Sequence, residues 1–377
     1  MQTLQPVLRR GRSVWNQVTF PSDEFQERVR GVRGMLSDGG MRALLVVGGG
    51  ERYQDIAYLT NLVPLMPWTV VVLPVEGEPA IIAGIGGGRE IPFVRTCTWV
   101  ADVRVAPSLG VGMAQILRER GIEAGRVAVA GFEEHLPVAL YDEVVGHLSG
   151  YELVAIDDRL AAIRRRKRAR ELGAMAEAGR IAQLAGLAAV QAFGRGGSNA
   201  EAVVAAERAA RTAGAHDVRV LCNLEVADAL WPYEAPSTVR NVPLCAYIAV
   251  EYEGYWADRA FTSPAVGSEH YRRACSGLAA MREAAREGAR VADVAGAALR
   301  EIGDEHRQMA LAYGLGGGIG LSLDEAPRID PESDELLEAS MTLSLRLCLG
   351  RPGEPPVLVS DLVRVGQGPA SSLLTPV

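Results

Sequence analysis

Gly316, Gly317, Gly318 and Gly320 crowd the stretch YGLGGGIGLSLDEAPRID (residues 313–330). Glycines at that density have one familiar chemical use, a backbone cradle for phosphate oxygens. The Lys-Ser/Thr pair that completes a nucleotide-binding loop is absent, so the cradle lacks its cation and its hydroxyl. A second candidate lies in MTLSLRLCL (residues 341–349). Strand alternation puts Leu343, Leu345, Leu347 and Leu349 on one face and Thr342, Ser344, Arg346 and Cys348 on the other. The guanidinium of Arg346 is permanently charged and suited to a two-pronged contact with a carboxylate. Nucleophilic chemistry has less support. Cys97, Cys222, Cys245, Cys275 and Cys348 are scattered, with no CxxC pair and no histidine beside any of them to stabilise a thiolate. Of the five histidines, His216 in GAHDVRVLCNLE is the one beside a strand-like segment, whereas His135, His147, His270 and His306 fall on helical or exposed stretches.

The composition restricts what these residues can serve. The 377-residue chain is 48% hydrophobic and 23% charged, enough to bury a substantial core in two or three domains. A net charge of −7 and a pI near 5.5 speak against a nucleic-acid partner or an anionic membrane surface. The basic run RLAAIRRRKRARELG (residues 159–173) reads as the solvated start of a helix or an interdomain linker. Five unpaired cysteines fit a reducing compartment. No apolar stretch has the length of a signal or a membrane span, and LVPLMPWTVVVLPVEG is interrupted by Pro64, Pro67 and Pro74. A soluble, cytoplasmic chain without membrane contact is expected.

The elements that must position the candidates fall into two groups. MRALLVVGG, TVVVLPVEGEPAIIAG (two strands about a turn at Glu76 to Pro79), RVAVAGF and ELVAI read as strands. GMAQILRERG and HLPVALYDEVVGHLSG read as helices, so residues 1–158 form an α/β domain. Residues 159–377 differ. An alanine-rich helix over 171–197 is followed by a second, opened by the capping-box spacing of Ser198 and Glu201. CAYIAVEYEGYWADRAFTSP is a hairpin turning at Glu253–Gly254, helices follow near 271–287 and 291–302, and the chain closes on two strands.

This order of elements resembles the Xaa-Pro aminopeptidase, prolidase and creatinase family, whose catalytic-type domain has the pita-bread fold. DIAYLTNL with VVVLPVEGEPAII is similar to the family's amino-terminal domain, and AAIRRRKRARELGAMAEAGRIA to its linker and first long helix. EYEGYWADRAFT resembles the hairpin carrying the second metal-binding aspartate. GGGIGLSLDEAP stands where the family has Gly-His-Gly-Ile-Gly followed by His-Glu and a proline. The resemblance implies an α/β amino-terminal domain followed by an α+β pita-bread domain.

Family metallohydrolases hold two divalent ions with two Asp, one His and two Glu. Carried over by position, Asp258 alone is retained. Tyr247 stands eleven residues earlier in place of the first aspartate, Gly317 in place of the histidine, and Arg346 and Ser360 in place of the glutamates. The second family histidine becomes Asp324, with Glu325 kept, and the upstream loop ALWPYEAPSTVRN offers Trp231 and Tyr233 where a substrate-side histidine belongs. One aspartate and an added guanidinium cannot balance two dications, and even a zinc site needs at least three protein ligands. The expectation is a site with no metal and no cofactor, the triple glycine marking a lost histidine.

In that site Arg346 is expected to replace the metals electrostatically, pairing with Asp258 and with Glu325, or to bind a substrate carboxylate. Tyr247 is either a general acid or a plug. Asp258, Glu325, Asp324 and Tyr247 are the acid/base candidates. Trp231, Tyr233, His216 and Asp361 are the remaining binding candidates, Asp361 being one register step from Ser360. Two functions are expected: a metal-independent, creatinase-like enzyme acting on a small carboxylate-bearing amino, guanidino or peptide-like substrate, or a catalytically silent relative serving as a peptide-binding or dimeric scaffold. A homodimer is implied by the resemblance in either case.

Overall fold

The computed structural model describes residues 14–50, 52–64, 67–223, 230–232, 243–263, 268–351 and 356–374. Tyr233 lies outside them. The chain divides into two compact units, Met1–Arg164 and Arg165–Val377.

In the first unit, β1 (Ala43–Gly48), β2 (Thr69–Pro74), β3 (Ala80–Ile85), β4 (Asp102–Ala106), β5 (Gly125–Ala130) and β6 (Tyr151–Ala155) form a mixed sheet in the order β4-β3-β2-β1-β5-β6. The segments read as strands are strands. β2 and β3 pair antiparallel about the expected turn, while β1 pairs parallel with β5 and β5 with β6. Every residue of ALLVVG is buried, as a strand covered on both faces requires. Helices α1 (Ser22–Asp38), α2 (Gln54–Thr60), α3 (Ile91–Cys97), α4 (Leu109–Glu119), α5 (Phe132–His135), α6 (Val138–His147) and α7 (Asp157–Arg165) complete the layers. Leu109, Met113 and Leu117 of α4 meet Leu45, Val47, Val70 and Val72.

The second unit opens with α8 (Ala169–Gly194) and α9 (Asn199–Thr212). The capping box forms: Ser198 N–H donates to Glu201 Oε2 at 2.6 Å, and Glu201 N–H to Ser198 Oγ at 3.3 Å. The chain continues through β7 (Asp217–Cys222), β8 (Trp231–Pro232), β9 (Leu244–Tyr252), β10 (Tyr255–Ser263), α10 (Glu269–Ala284), α11 (Val291–Ile302), α12 (Asp304–Tyr313), β11 (Gly316–Gly318), β12 (Glu325–Arg328), β13 (Thr342–Leu349), β14 (Val357–Arg364) and β15 (Ser371–Ser372). The β9–β10 hairpin turns at Glu253 (φ 51°) and Gly254 (φ 84°), two consecutive left-handed residues of the kind that match hairpin twist. Helix α12 has no counterpart among the expected elements.

Two sheets result, β10-β9-β7-β8 and β12-β11-β13-β14-β15. Helices α8 and α9 cover the first, packing on Val218, Val220, Ile248 and Val250. Helices α10 and α11 cover the second through the stripe Leu343, Leu345, Leu347 and Leu349. The sheets are tied along β10 and β14. Ala260 N–H donates to Ser360 Oγ at 2.7 Å, and Thr262 Oγ1 donates to Leu358 O at 3.0 Å and accepts from its N–H at 3.1 Å. Apolar residues of both sheets therefore face helices, and the alternate residues face one another's sheet.

Candidate functional site

Those alternate residues meet at Asp258. Tyr247 lies on β9 and Asp258 on β10, on the face turned away from α8 and α9, and the Tyr247 hydroxyl donates to Asp258 Oδ2 at 2.6 Å. From the other sheet, Ser344 Oγ lies 2.7 Å from both Oδ1 and Oδ2. Asp258 has no exposed surface, and Ser344 and Tyr247 are buried beside it. A buried carboxylate without donors costs several kcal/mol, and here two neutral hydroxyls supply them. Burial, and then the adjacent Asp258 carboxylate, push the Tyr247 phenol well above its ordinary range, with Arg346 acting against the shift. Tyr247 therefore holds its proton and serves Asp258 as a donor.

Arg346 shares the face of Ser344, as the strand parity predicts, and pairs in register with Ser360. Its guanidinium carbon is 5.4 Å from the centre of the Tyr247 ring. The expected pairing with Asp258 does not form. Among the described residues Arg346 has no ion-pair partner, and its buried Nε has no hydrogen-bond acceptor. The reason is geometric: Ser344, one alternation earlier on β13, already occupies both carboxylate oxygens.

Glu325 has a different cation. Lys167 Nζ is 2.7 Å from Glu325 Oε2, with side-chain exposures of 2% and 7%. Lys167 was embedded in the run read as solvated. Instead Lys167 and Arg164 are buried, and Lys167 N–H donates to Ser340 O at 2.8 Å. The glycines make room for this arrangement. A Cβ on Gly320 would lie 2.6 Å from Lys167 Cε and 3.0 Å from Glu325 Oε1. Gly316, at φ +103°, lies so close to β13 that a Cβ would fall 1.8 Å from Ser344 O. Gly316–Gly318 thus form an interior strand of a sheet, their backbone committed to β12 and β13, and the stretch forms no phosphate cradle.

The other candidates lie apart from Asp258. Asp324 is exposed. Asp361 pairs with Leu345 and so shares its helix-facing side, where Ser372 Oγ donates to Asp361 at 2.6 Å and Arg282 lies 3.6 Å away. Burial pushes the Asp361 carboxyl up, its donors partly offsetting this. Trp231 is 54% exposed on β8. His216 stacks on Tyr252 and accepts from Glu253 N–H at 3.2 Å, at the hairpin end of the sheet. That is five register positions from Tyr247, roughly 17 Å along the strand. The thiols are unreactive by environment, burial pushing Cys222 up to about 11 and Cys245 to about 12. Sequence reasoning missed Lys167 and Ser344, although parity had already put Ser344 on the correct face.

Two bridged dications do not fit this donor set. Both oxygens of Asp258 are taken by hydroxyls, a fixed guanidinium stands beside Tyr247, and among the described residues no group of three or more His, Cys, Asp or Glu is arranged to hold a metal ion. Nor, among those residues, is any helix long and apolar enough to cross a membrane.

Two helix-backed sheets facing one another, in a unit that follows an α/β unit in the chain, define a protein of the pita-bread class. Residues 173–367 match the model of metallopeptidase family M24, and the chain belongs to that family. The X-Pro aminopeptidase of Thermotoga maritima superposes with a TM-score of 0.76 at 19% identity, over 93% of this chain and 98% of that one. Dipeptidase PepE of Mycobacterium ulcerans gives 0.74 at 24% identity, over 95% and 97%. The N-terminal domain of the FACT complex subunit SPT16 from Cicer arietinum gives 0.67 at 15% identity, over 93% and 96%. At these identities the likeness is one of fold. A search of curated protein sequences finds no match.

Proposed function

We propose that this chain is a metal-independent family member that takes a small carboxylate-bearing amino, guanidino or peptide-like molecule, its carboxylate held by Arg346. The observation carrying this reading is the guanidinium itself. It is partly exposed, it has no ion partner among the described residues, and it stands on the inter-sheet face beside Tyr247. An unpaired arginine fork offers a carboxylate two parallel donors. The peptidases of the same fold named above support a ligand of peptide-like size.

Asp258 is not a catalytic residue in this reading. It is sealed, with both oxygens engaged by hydroxyls, so it fixes Tyr247 and Ser344 and through them the floor beneath Arg346. That engagement also favours a second reading, a silent relative that binds without turnover, for which the SPT16 domain shows that the fold occurs in a subunit of a complex.

Thermal-shift and calorimetric titration with small amino and guanidino acids tests the binding. Carboxylate-bearing compounds should stabilise the protein, their amides should not, and Arg346→Ala should abolish the effect. Indifference of the wild type to every such acid, or equal binding by R346A, would refute the proposal. Mass spectrometry of any bound compound after incubation with chelator then separates the readings. C–N cleavage under those conditions marks the metal-independent enzyme, and unchanged ligand marks the silent relative.

A further inference from the structure

We propose that the outer face of α8 and α9 is a self-association surface, on which a second copy of this chain lays its own α9 antiparallel, whatever Arg346 binds. The two helices border a groove of about 850 Å³ whose walls include Leu184 and Ala188 of α8 and Val204, Ala205 and Ala209 of α9. Leu184 is 39% exposed and Val204 58%, so large apolar side chains stand in water beside small ones. An exposed apolar patch of this kind, edged by Glu201 and Arg208, marks an interaction site.

The residue order along α9 indicates what covers it. Ala200 and Ala209, Glu201 and Arg208, and Val204 and Ala205 are three pairs centred on one point, midway between 204 and 205. At about 100° per residue all six lie on one side of the helix, turned away from the buried Ala202, Val203, Ala206 and Ala210. A twofold axis through that point, with the two helices antiparallel, sets Glu201 against the partner's Arg208 and Val204 against the partner's Ala205, each contact made twice. Acid meets base and large meets small, as an isologous interface requires. A parallel pair would instead oppose like charges at both positions. Arg208 is exposed and has no ion-pair partner among the described residues, and Glu201 is exposed while its carboxylate also accepts from Ser198 N–H. Helix α9 is roughly 21 Å long and α8 roughly 39 Å. Two such faces bury on the order of 1,000 Å², where specific association begins, so the dimer should be weak, in the micromolar range.

Sedimentation velocity of the full chain from about 1 to about 200 µM tests this. Wild type should pass from monomer to dimer over that range, less completely as salt rises. Arg208→Glu and Glu201→Lys each set like charges against one another at both contacts, and each should weaken association by about tenfold. Their equimolar mixture should restore it, because only the mixed pair opposes unlike charges at both. Ser198 Oγ can still accept from the backbone N–H of position 201 in E201K, so α9 keeps half of its cap. Val204→Gln, at an exposed site, should weaken association with the far-ultraviolet dichroism unchanged. A wild type monomeric throughout, a dimer indifferent to all three substitutions, or folded charge variants that fail to recover on mixing would each overturn the pairing.

Discussion

Asp258 and Glu325 are both acids at positions where the family resemblance places acids, and this chain answers their charges in opposite ways. Asp258 is held by neutral hydroxyls from two strands, Tyr247 and Ser344. Glu325 is held by an ammonium group, Lys167, from the segment leading into α8. The difference is one of reversibility. Hydroxyl donors leave a buried negative charge in place and only solvate it. A lysine cancels it, at the desolvation cost of a second buried ion. Arg346, the residue whose arrival first points to a replaced metal pair, serves neither acid. Among the described residues its fork has no partner, and the ligand-binding proposal grows from that freedom.

The widest separation between the two acids should appear when a partner is removed. Lys167→Met strands Glu325 as a buried charge and should cost about 3–5 kcal/mol of unfolding free energy, measured by denaturant titration. The double variant Lys167→Met/Glu325→Leu should regain most of that loss, since two buried ions replaced by apolar groups of similar volume are often neutral or better. A single variant as stable as wild type would mean that the pair is solvated after all, and the contrast with Asp258 would collapse.

A smaller effect is expected at Asp258. Tyr247→Phe and Ser344→Ala each remove one hydroxyl from a charged acceptor and should cost about 1.5–3 kcal/mol. The two should not add, because the remaining hydroxyl can approach whichever oxygen is vacated, and residues sharing one acceptor couple. Strict additivity would show two independent contacts and would sharpen the comparison in the other direction.

How far the sequence carried these partners depends on the range of each interaction. Short-range signals read correctly: the Ser198–Glu201 box, the Glu253–Gly254 turn, and the alternation that sends Leu343 to Leu349 toward α10 and α11 and leaves Ser344 and Arg346 on the opposite side. Alternation fixes a face but not a position along it. The expectation that Arg346 meets Asp258 therefore failed by one alternation, with Ser344 in its place. Lys167 meets Glu325 across 158 residues, and nothing in a basic run distinguishes Lys167 and Arg164, which turn inward, from the arginines that stay at least partly exposed.

The pH dependence supplies the smallest test and the most selective. Tyr247 ionises well above its ordinary range when folded, because of burial and the neighbouring carboxylate, whereas in the unfolded chain it ionises near pH 10. Above that pH the unfolded state has lost a proton that the folded state keeps, so stability falls as pH rises, at no more than about 1.4 kcal/mol per pH unit for one group. The thiols of Cys222 and Cys245, raised to about 11 and about 12, contribute a slope of the same sign that begins lower, near the ordinary thiol value of 9.0. Tyr247→Phe removes the tyrosine part and leaves the thiol part. Denaturation midpoints of wild type and Y247F should therefore run parallel between pH 8 and 10 and converge above it, the variant's deficit shrinking as the wild type loses its hydroxyl advantage. A deficit that stays constant to pH 11 would mean that Asp258 does not depend on the proton of Tyr247, and its hydroxyl lock would then rest on Ser344 alone.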